Sequence, residues 1–366
     1  MKVPFFDYPQ VYLSEKQDID RILNDVGSRG AFILQDDVEN FELELASYLR
    51  AEKSIGVGNA TDAMELFLLS LNLDRGSEII ISTHTMLATA SAIVTAGAVP
   101  VPVDIGYDGL MCPDSLSEAI NSRTVGVMPT QLNGRTCDMD KICDIATKHN
   151  LFICEDAAQS LGSKFNNQNA GTFGLASCIS FFPAKVLGSL GDAGAIVTSN
   201  EEIYEKSFQL HDHGRDTNGE VKSWGRNSRL DNIQAAFLSF RLKNYQNVIN
   251  RRREIASMYE EQLAQLSELK LPIGPDEESL HFDVYQNYEI QASRRDELME
   301  YLSEKGIGTI KQWGGFAIHH FKNLGFTQDL PIADKFFEEC MLLPMNTYLS
   351  NDHIDYVCES IHNFYR

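Results

Sequence analysis

From residue 54 onward the chain alternates short runs of β-branched and apolar residues with stretches of helical periodicity, and that alternation restricts the fold more than any other feature. The runs are SIGVGN (54–59), EIIIST (78–83), VPVPVDI (99–105), TVGVMPTQ (124–131), LFICEDAA (151–158), CISFFPA (178–184) and AGAIVTSN (193–200). Between them lie segments such as TDAMELFLLSLNL (61–73) and MLATASAIVTAG (86–97), whose apolar residues recur at helical spacing. Strands that are apolar along their length need cover on both faces, which helical crossovers on a parallel sheet supply. The pattern therefore predicts an α/β fold, a three-layer αβα domain around a mostly parallel seven-stranded sheet. Ligands of such sheets bind at the carboxyl ends of the strands.

A helical stretch over 229–267 leads out of this domain, and LKLPIGPDEES (269–279) reads as a linker. HFDVYQNYEIQ (281–291), the helix RRDELMEYLSEKG (294–306) and two later helical stretches then form a smaller C-terminal α/β lobe. The expected organisation is a large ligand-binding domain with an N-terminal arm over 1–250 and a small domain over 251–366. A chain of 366 residues with 43% hydrophobic and 23% charged side chains can bury two such cores.

A net charge of −21 argues against nucleic acid or an anionic membrane as partner, since both require clustered Lys and Arg. No apolar run approaches the roughly 20 residues that cross a bilayer, and the opening MKVPFFDYPQVYLSEKQDID does not resemble a signal peptide. Seven scattered cysteines, with neither a CxxC pair nor disulfide-like spacing, fit a reducing compartment, and the expected location is the cytoplasm.

Three strand ends carry groups that call for chemistry. Lys185 stands in 178-CISFFPAKVLGSLGDAGAIVTS-199, between two apolar runs and directly before a glycine-rich turn, where an amine is either led to solvent or held for reaction. The run 154-CEDAAQSLGS-163 puts Asp156 and Gln159 at another strand end. The stretch 58-GNATDAM-64 enters a helix from a strand and offers backbone N–H groups and the Thr61 hydroxyl to an anion. An anion seat, a carboxylate and a lysine together fit pyridoxal 5′-phosphate (PLP), which needs donors for its phosphate, a carboxylate at its ring nitrogen and an amine for its aldehyde.

Other motifs fail on spacing. There is no G-x-x-x-x-G-K-[ST], no G-x-G-x-x-G opening a helix after a strand, no G-x-S-x-G and no H-E-x-x-H. The HDH of 211–213 and the pair His319–His320 could suggest a metal, but surface or substrate-contact roles weigh more, and no metal site is expected.

The motifs GVGNATDAMEL, HTMLATASAIVTAGAVPVPVDI, EDAAQSLGSKF, SFFPAKVLGSLGDAGAIVT, WGRNSRLDNIQAA and the late LLPM occur in order along essentially the whole chain. This series resembles the PLP-dependent sugar aminotransferases of the DegT/StrS type, within the fold-type I aspartate aminotransferase superfamily. The resemblance makes Lys185 the Schiff-base lysine and proton carrier, pairs Asp156 with the pyridine nitrogen, and brings Gln159 to the ring's phenolic oxygen. It assigns the phosphate to Ala60, Thr61 and Ser180, packs Ala158 and Met86 against the ring, and has Asn227 donated to the phosphate by the neighbouring subunit of a homodimer with shared sites. Arg229, His319 and His320 are candidate substrate contacts, with a structural ion pair as the alternative for Arg229.

The resemblance implies transfer of an amino group from L-glutamate to a keto-sugar, a nucleotide-linked 3- or 4-keto-6-deoxyhexose above all. The product would be an amino sugar for surface polysaccharide or natural-product glycosylation. The alternatives are a PLP-dependent sugar dehydratase, whose relatives carry histidine in place of the lysine, and a non-catalytic PLP-binding regulator. The chain departs from the family pattern at Met86, where an aromatic residue is usual, and at 130-TQLNG-134, where V-H-L-Y-G is common. It departs again at Ala193, in place of a glycine, and in 312-QWGGFAIHHF-321.

Overall fold

In the computed structural model, which describes residues 1–275 and 280–366, the seven apolar runs form one seven-stranded sheet. The strands are β1 (Lys53–Val57), β2 (Glu78–Ser82), β3 (Val99–Val103), β4 (Thr124–Met128), β5 (Phe152–Asp156), β6 (Ala176–Ser180) and β7 (Gly194–Thr198). Their spatial order is β1-β7-β6-β5-β4-β2-β3, and β7 alone runs against its neighbours. The carboxyl ends of the other six therefore share one edge, where the sequence places its reactive side chains.

Both faces of the sheet are covered. On one side Ile55, Val57, Ile79 and Ile81 pack with Met64 and Phe67 of the helix α3 (Ala60–Ser70) and with Ile93 of α4 (Leu87–Thr95). On the other, Ile179, Ala195 and Val197 meet Phe41 and Leu45 of α2 (Asp36–Leu49), and Ile80 and Val127 pack with Ile142. The long helix α1 (Tyr8–Arg29) lies outside, touching the body through Ile19, Ile22 and Val26 against Phe237.

The continuous helix expected over 229–267 is two helices, Asn232–Leu242 and Tyr245–Leu263. Asn244 leaves the helical line at φ −107°, ψ 9°, and Tyr245 is anchored by its hydroxyl to the Leu161 carbonyl at 2.7 Å. The start is delayed because Leu230 donates its N–H to Gly56 in the sheet and the Asn232 side chain bonds Val38 and Ala31. The second helix joins the two lobes: Tyr245 and Ile249 belong to the core of the large lobe, Ile255, Tyr259 and Leu263 to that of the small one.

The small lobe is a three-stranded antiparallel sheet of Leu269–Lys270, Tyr288–Ala292 and Cys340–Leu343, backed by the helices Arg295–Glu304 and Asn351–Tyr365. Val3, from the N-terminus, is buried in this core. The expected linker thus begins as strand at its first two residues, while its DEES portion, 276–279, lies outside the described residues. Residues 318–326 do not stay with the small lobe: Ile318 donates to the Thr83 carbonyl, and Ile318 and Phe326 are buried in the large-lobe core.

The segment 281–291 holds two separate strands, His281–Phe282 and Tyr288–Ala292. Tyr285 adopts φ +50°, and arginines of the connecting helix clamp the crossing. Arg252 donates to the carbonyls of Tyr285 and Gln286 at 2.8 and 3.0 Å, and Arg253 to that of Asp283 at 2.9 Å. Among the described residues no helix is long and apolar enough to cross a membrane.

Gly194, at the start of β7, faces Ser180 in the ladder, and a Cβ placed there would lie 2.4 Å from the Asn59 carbonyl carbon and 2.7 Å from the Ala60 nitrogen. The strand therefore abuts the first residue of α3 only because it is glycine. Gly194→Ala should destabilise the protein by about 1–3 kcal/mol, read as a lower urea midpoint, because the neighbouring atoms are backbone. An unchanged midpoint would mean that α3 can shift without cost.

Candidate active site

The edge formed by β1, β7, β6, β5 and β4 assembles the site in that order. After β1, Asn59 caps α3, its side chain accepting the Asp62 N–H at 2.8 Å. The N–H groups of Ala60 and Thr61 have no intrahelical acceptor, as is general for a helix's first turn. Ser180, at the end of β6, pairs with Gly194 beside Ala60. Two free N–H groups and the Thr61 and Ser180 hydroxyls thus share one edge, and the helix dipole adds positive potential there.

Asp156 ends β5 at 3% exposure. Its Oδ2 accepts the Thr89 hydroxyl at 2.7 Å, its Oδ1 the Ala158 N–H at 3.2 Å. Thr89 is joined to Thr85, and Thr85 to Thr130, each at 2.8 Å, so a file of three hydroxyls runs behind the carboxylate. Thr85 and Thr89 flank Met86, which starts α4 half-exposed, so the network that orients Asp156 also fixes the Met86 turn. Burial raises the Asp156 carboxyl above its ordinary range, opposed by Thr89, the Ala158 N–H and the Lys185 charge.

Lys185 lies in a tight turn after β6, its N–H donating to Phe182 at 2.8 Å. Gln286 brackets it from the small-lobe side: its Oε1 accepts the Val186 N–H and its Nε2 donates to the Ala184 carbonyl, both at 2.8 Å. Burial lowers the Lys185 amine to about 8 while Asp156 pulls it upward. A lysine brought this close to neutrality serves as a nucleophile and proton carrier, which an ordinary surface lysine does not. Lys185 also borders a cavity of about 340 Å³ that reaches Tyr8 and Glu15 of α1, Arg241 and Tyr348.

Gln159 closes the edge. Its Oε1 accepts the Asn133 N–H at 2.8 Å and the Asn287 amide at 3.4 Å. Asn133, in the left-handed region at φ +57°, is itself a junction. Its Nδ2 donates to Glu289 at 2.6 Å, and its Oδ1 accepts from Asn287 at 2.8 Å and Gln312 at 2.9 Å. Of the three departures in 130-TQLNG-134, only Asn133 meets these groups. Gln131 is fully buried between Glu155 and the Cys137 N–H, both at 2.7 Å.

The remaining expected residues lie apart from this row. Arg229 pairs with Asp212 at 3.0 Å, the structural alternative raised for it. His319 is 1% exposed with Nδ1 on Thr83 and Nε2 on Asp334 at 2.7 and 2.9 Å, so it has no free nitrogen for a substrate. His320 shares Asp334 at 2.7 Å and accepts the Ala317 N–H. These three side chains are close enough to hold an ion. However, the Ala317 N–H occupies the His320 Nδ1 lone pair, which puts the ring proton on Nε2, facing Asp334. Asn227 is exposed, next to Ser228, whose hydroxyl bonds Asp62 at 2.6 Å. Sequence reading missed Gln286, Asn287, Glu289 and Gln312, because isolated amides and a buried glutamate carry no motif.

The model of the DegT/DnrJ/EryC1/StrS aminotransferase family matches residues 13–362. A pleiotropic regulatory protein of Geobacillus stearothermophilus is 37% identical, covering 100% of this chain and 99% of that protein. A dTDP-3-amino-3,4,6-trideoxy-alpha-D-glucose transaminase of Streptomyces venezuelae is 32% identical over 95% of this chain and 92% of its own. The solved structure of NtdA from Bacillus subtilis with bound cofactor PMP superposes with a TM-score of 0.91 at 30% identity, covering 99% of this chain and 85% of that one.

The raised Asp156 carboxyl has a thermodynamic consequence. Between the ordinary value of 3.8 and its higher folded value, the native protein keeps a proton that the unfolded chain releases, so wild-type stability falls as pH rises through that window. Asp156→Asn carries no such proton. In cofactor-free protein the variant's Tm should gain on wild type by a few °C as the pH rises above about 4. A difference independent of pH would show that the carboxylate is not buried uncompensated.

Proposed function

The chain belongs to the DegT/DnrJ/EryC1/StrS aminotransferase family, and from that membership we propose that it transfers the amino group of L-glutamate to a nucleotide-linked keto-sugar, a 3- or 4-keto-6-deoxyhexose. It is a PLP-dependent sugar aminotransferase, a class that includes the Streptomyces venezuelae relative. The observation that carries the reading is Lys185, an amine lowered to about 8 by burial and answered by the buried carboxylate of Asp156. The amino sugar formed would serve surface polysaccharide or natural-product glycosylation, and the seven unpaired cysteines and the nucleotide-linked substrate favour the cytoplasm.

The residues present fit PLP. The free N–H groups of Ala60 and Thr61, with the Thr61 and Ser180 hydroxyls, would take its phosphate. Asp156 would hold a proton at the ring nitrogen, Ala158 and Met86 would pack on its faces, and Gln159 would meet the phenolic oxygen. When bound, the cofactor supplies an electron sink for the pair released at the substrate carbon. The chain's own part is proton handling: Lys185 Nζ would take the proton from the substrate carbon bearing the amine and deliver it to the cofactor's aldehyde carbon, on the other side of the nitrogen. Thr89 and the Ala158 N–H, which oppose the effect of burial on Asp156, would help it carry a charge against the protonated ring nitrogen.

Lys185 weighs against the dehydratase alternative, whose relatives have histidine there. A purely regulatory binder, the activity suggested by the name of the Geobacillus relative, has no need of an amine near neutrality.

The active unit would be a homodimer. Trp224, at 97% exposure, and Val221, at 69%, project from the segment that carries Asn227, while Phe32, Phe182 and Leu190 are exposed apolar groups elsewhere on the large lobe. These groups suit a second copy, whose Asn227 would reach the phosphate seat.

Two measurements test the proposal. Protein reconstituted with PLP should show a visible absorbance band that L-glutamate bleaches and that Lys185→Ala lacks, with kcat reduced by about 10³-fold or more in the variant. A wild type without a lysine-dependent band would sink the assignment. Sharing of sites is tested by mixing Lys185→Ala with Asn227→Ala. Subunit exchange should restore about a quarter of wild-type activity, since each mixed dimer holds one intact site. No recovery would mean that each chain is self-sufficient or that Asn227 has no part in the site.

A further inference from the structure

We propose that Asn133 is a positioning residue that sets the orientation of the Gln159 amide and makes that orientation depend on docking of the small lobe. The proposal rests on the reading of Gln159 as the group that meets the cofactor's phenolic oxygen.

A glutamine amide presents either its oxygen or its NH₂ to a given side, and its neighbours decide which. The Asn133 backbone N–H can only donate, so the atom that meets it at 2.8 Å must be Gln159 Oε1. The Asn287 amide approaches the same oxygen at 3.4 Å. With Oε1 taken, Nε2 is left with two N–H donors and no acceptor among the described hydrogen bonds, the polarity that suits an anionic ring oxygen.

What holds Asn133 is the small lobe. Its side chain uses both ends, Nδ2 on Glu289 and Oδ1 on Asn287 and Gln312, at 2.6 to 2.9 Å. All three partners lie beyond the connecting helix, and Glu289 sits in the central strand of the small sheet. Asn133 therefore spans the cleft, with its backbone on the large-lobe side and its amide on the other. Glu289 is buried beside His84, whose Nδ1 meets the Gly109 carbonyl at 3.1 Å, leaving Nε2 as an acceptor 3.6 Å from Glu289 Oε1. Burial keeps His84 uncharged, at about 3, and raises Glu289 to about 8, so the pair is neutral and Glu289 can offer a proton toward His84 while accepting from Asn133.

The test uses Asn133→Gly, which retains the backbone N–H and tolerates φ +57° while removing the amide bridge. A donor at the phenolic oxygen favours the deprotonated form of the bound cofactor. With the bridge gone, the pH midpoint of the visible absorbance should move up by about one unit. In cofactor-free protein, amide deuterium exchange over 284–292 should rise about tenfold or more. Asn287→Ala should change both readouts in the same direction but less, and serves as the second variant where Asn133→Gly folds poorly. Glu289→Gln keeps an acceptor for Asn133 and a donor toward His84, and should leave both near wild type.

Faster exchange with an unmoved midpoint would reduce Asn133 to a structural tie and overturn the positioning role, as would two variants that match wild type in both readouts. A wild type without the lysine-dependent band sinks the functional reading and this one with it, an outcome distinct from a band that is present but does not move.

Discussion

A carboxylate buried beside a lysine at one edge of the sheet is the constraint that most of the surrounding structure serves. Placing charge at this depth is costly unless hydrogen bonds replace water. Asp156 receives a hydroxyl and a backbone N–H, and the hydroxyl is fixed by two further threonines on β2 and β4 extensions. Those bonds oppose burial without cancelling it, since the carboxyl stays above its ordinary range. Lys185 answers on the same terms, lowered by burial and raised by Asp156. Burial draws both groups toward neutrality, and each pulls the other back toward its charged form.

Strand alternation gives the preceding residue the opposite task. Glu155 points to the other face and is fully buried, accepting from Gln131 and from the N–H groups of Gly171, Phe173 and Gly174. Four donors on one carboxylate fix the loop that leads into β6, and so the approach to the Lys185 turn. The dipeptide Glu155–Asp156 thus divides into a fastening and a functional side chain, as a period of two requires.

The large lobe was legible because its determinants are local. Apolar runs in alternation specify the strands, and the turns around Asn59, Asp156 and Lys185 lie at their ends, so both the sheet and the gathering of these residues at one edge followed from adjacency in sequence. The helix break at Asn244 was not legible, because the periodicity of 229–267 is unbroken and the kink is imposed by tertiary anchors at Leu230, Asn232 and Tyr245. The crossing at 283–287 was hidden for the same reason, as arginines from another helix hold its carbonyls. Gln286 and Asn133 acquire their roles only through partners about 100 and more than 150 residues away. For Arg229 and His319 residue type suggested substrate contact, whereas the pairings with Asp212 and Asp334, only 17 and 15 residues away, carry no motif that marks them in sequence.

The choice of side chains at the lobe junction follows from the charges it adjoins. Asn133, Gln159, Asn287 and Gln312 are all neutral amides, each both donor and acceptor, so they can satisfy one another without adding a charge near Asp156 and Lys185. An arginine or a free carboxylate in their place would shift the titration of that pair by Coulomb interaction across a low-dielectric cleft. Glu289 breaks the rule in composition but not in charge, since burial favours its protonated form. Elsewhere along the junction Arg135 pairs with Asp283 at 2.7 Å on the wall of a second cavity of about 350 Å³, and Arg252 spends its charge on the carbonyls of Tyr285 and Gln286. Rigid ion pairing is thus kept to the periphery of the lobe contact, while amides that can exchange partners lie next to the reactive groups. A joint of this kind can open and re-form without leaving an unpaired buried charge, and breaking a buried ion pair would leave one.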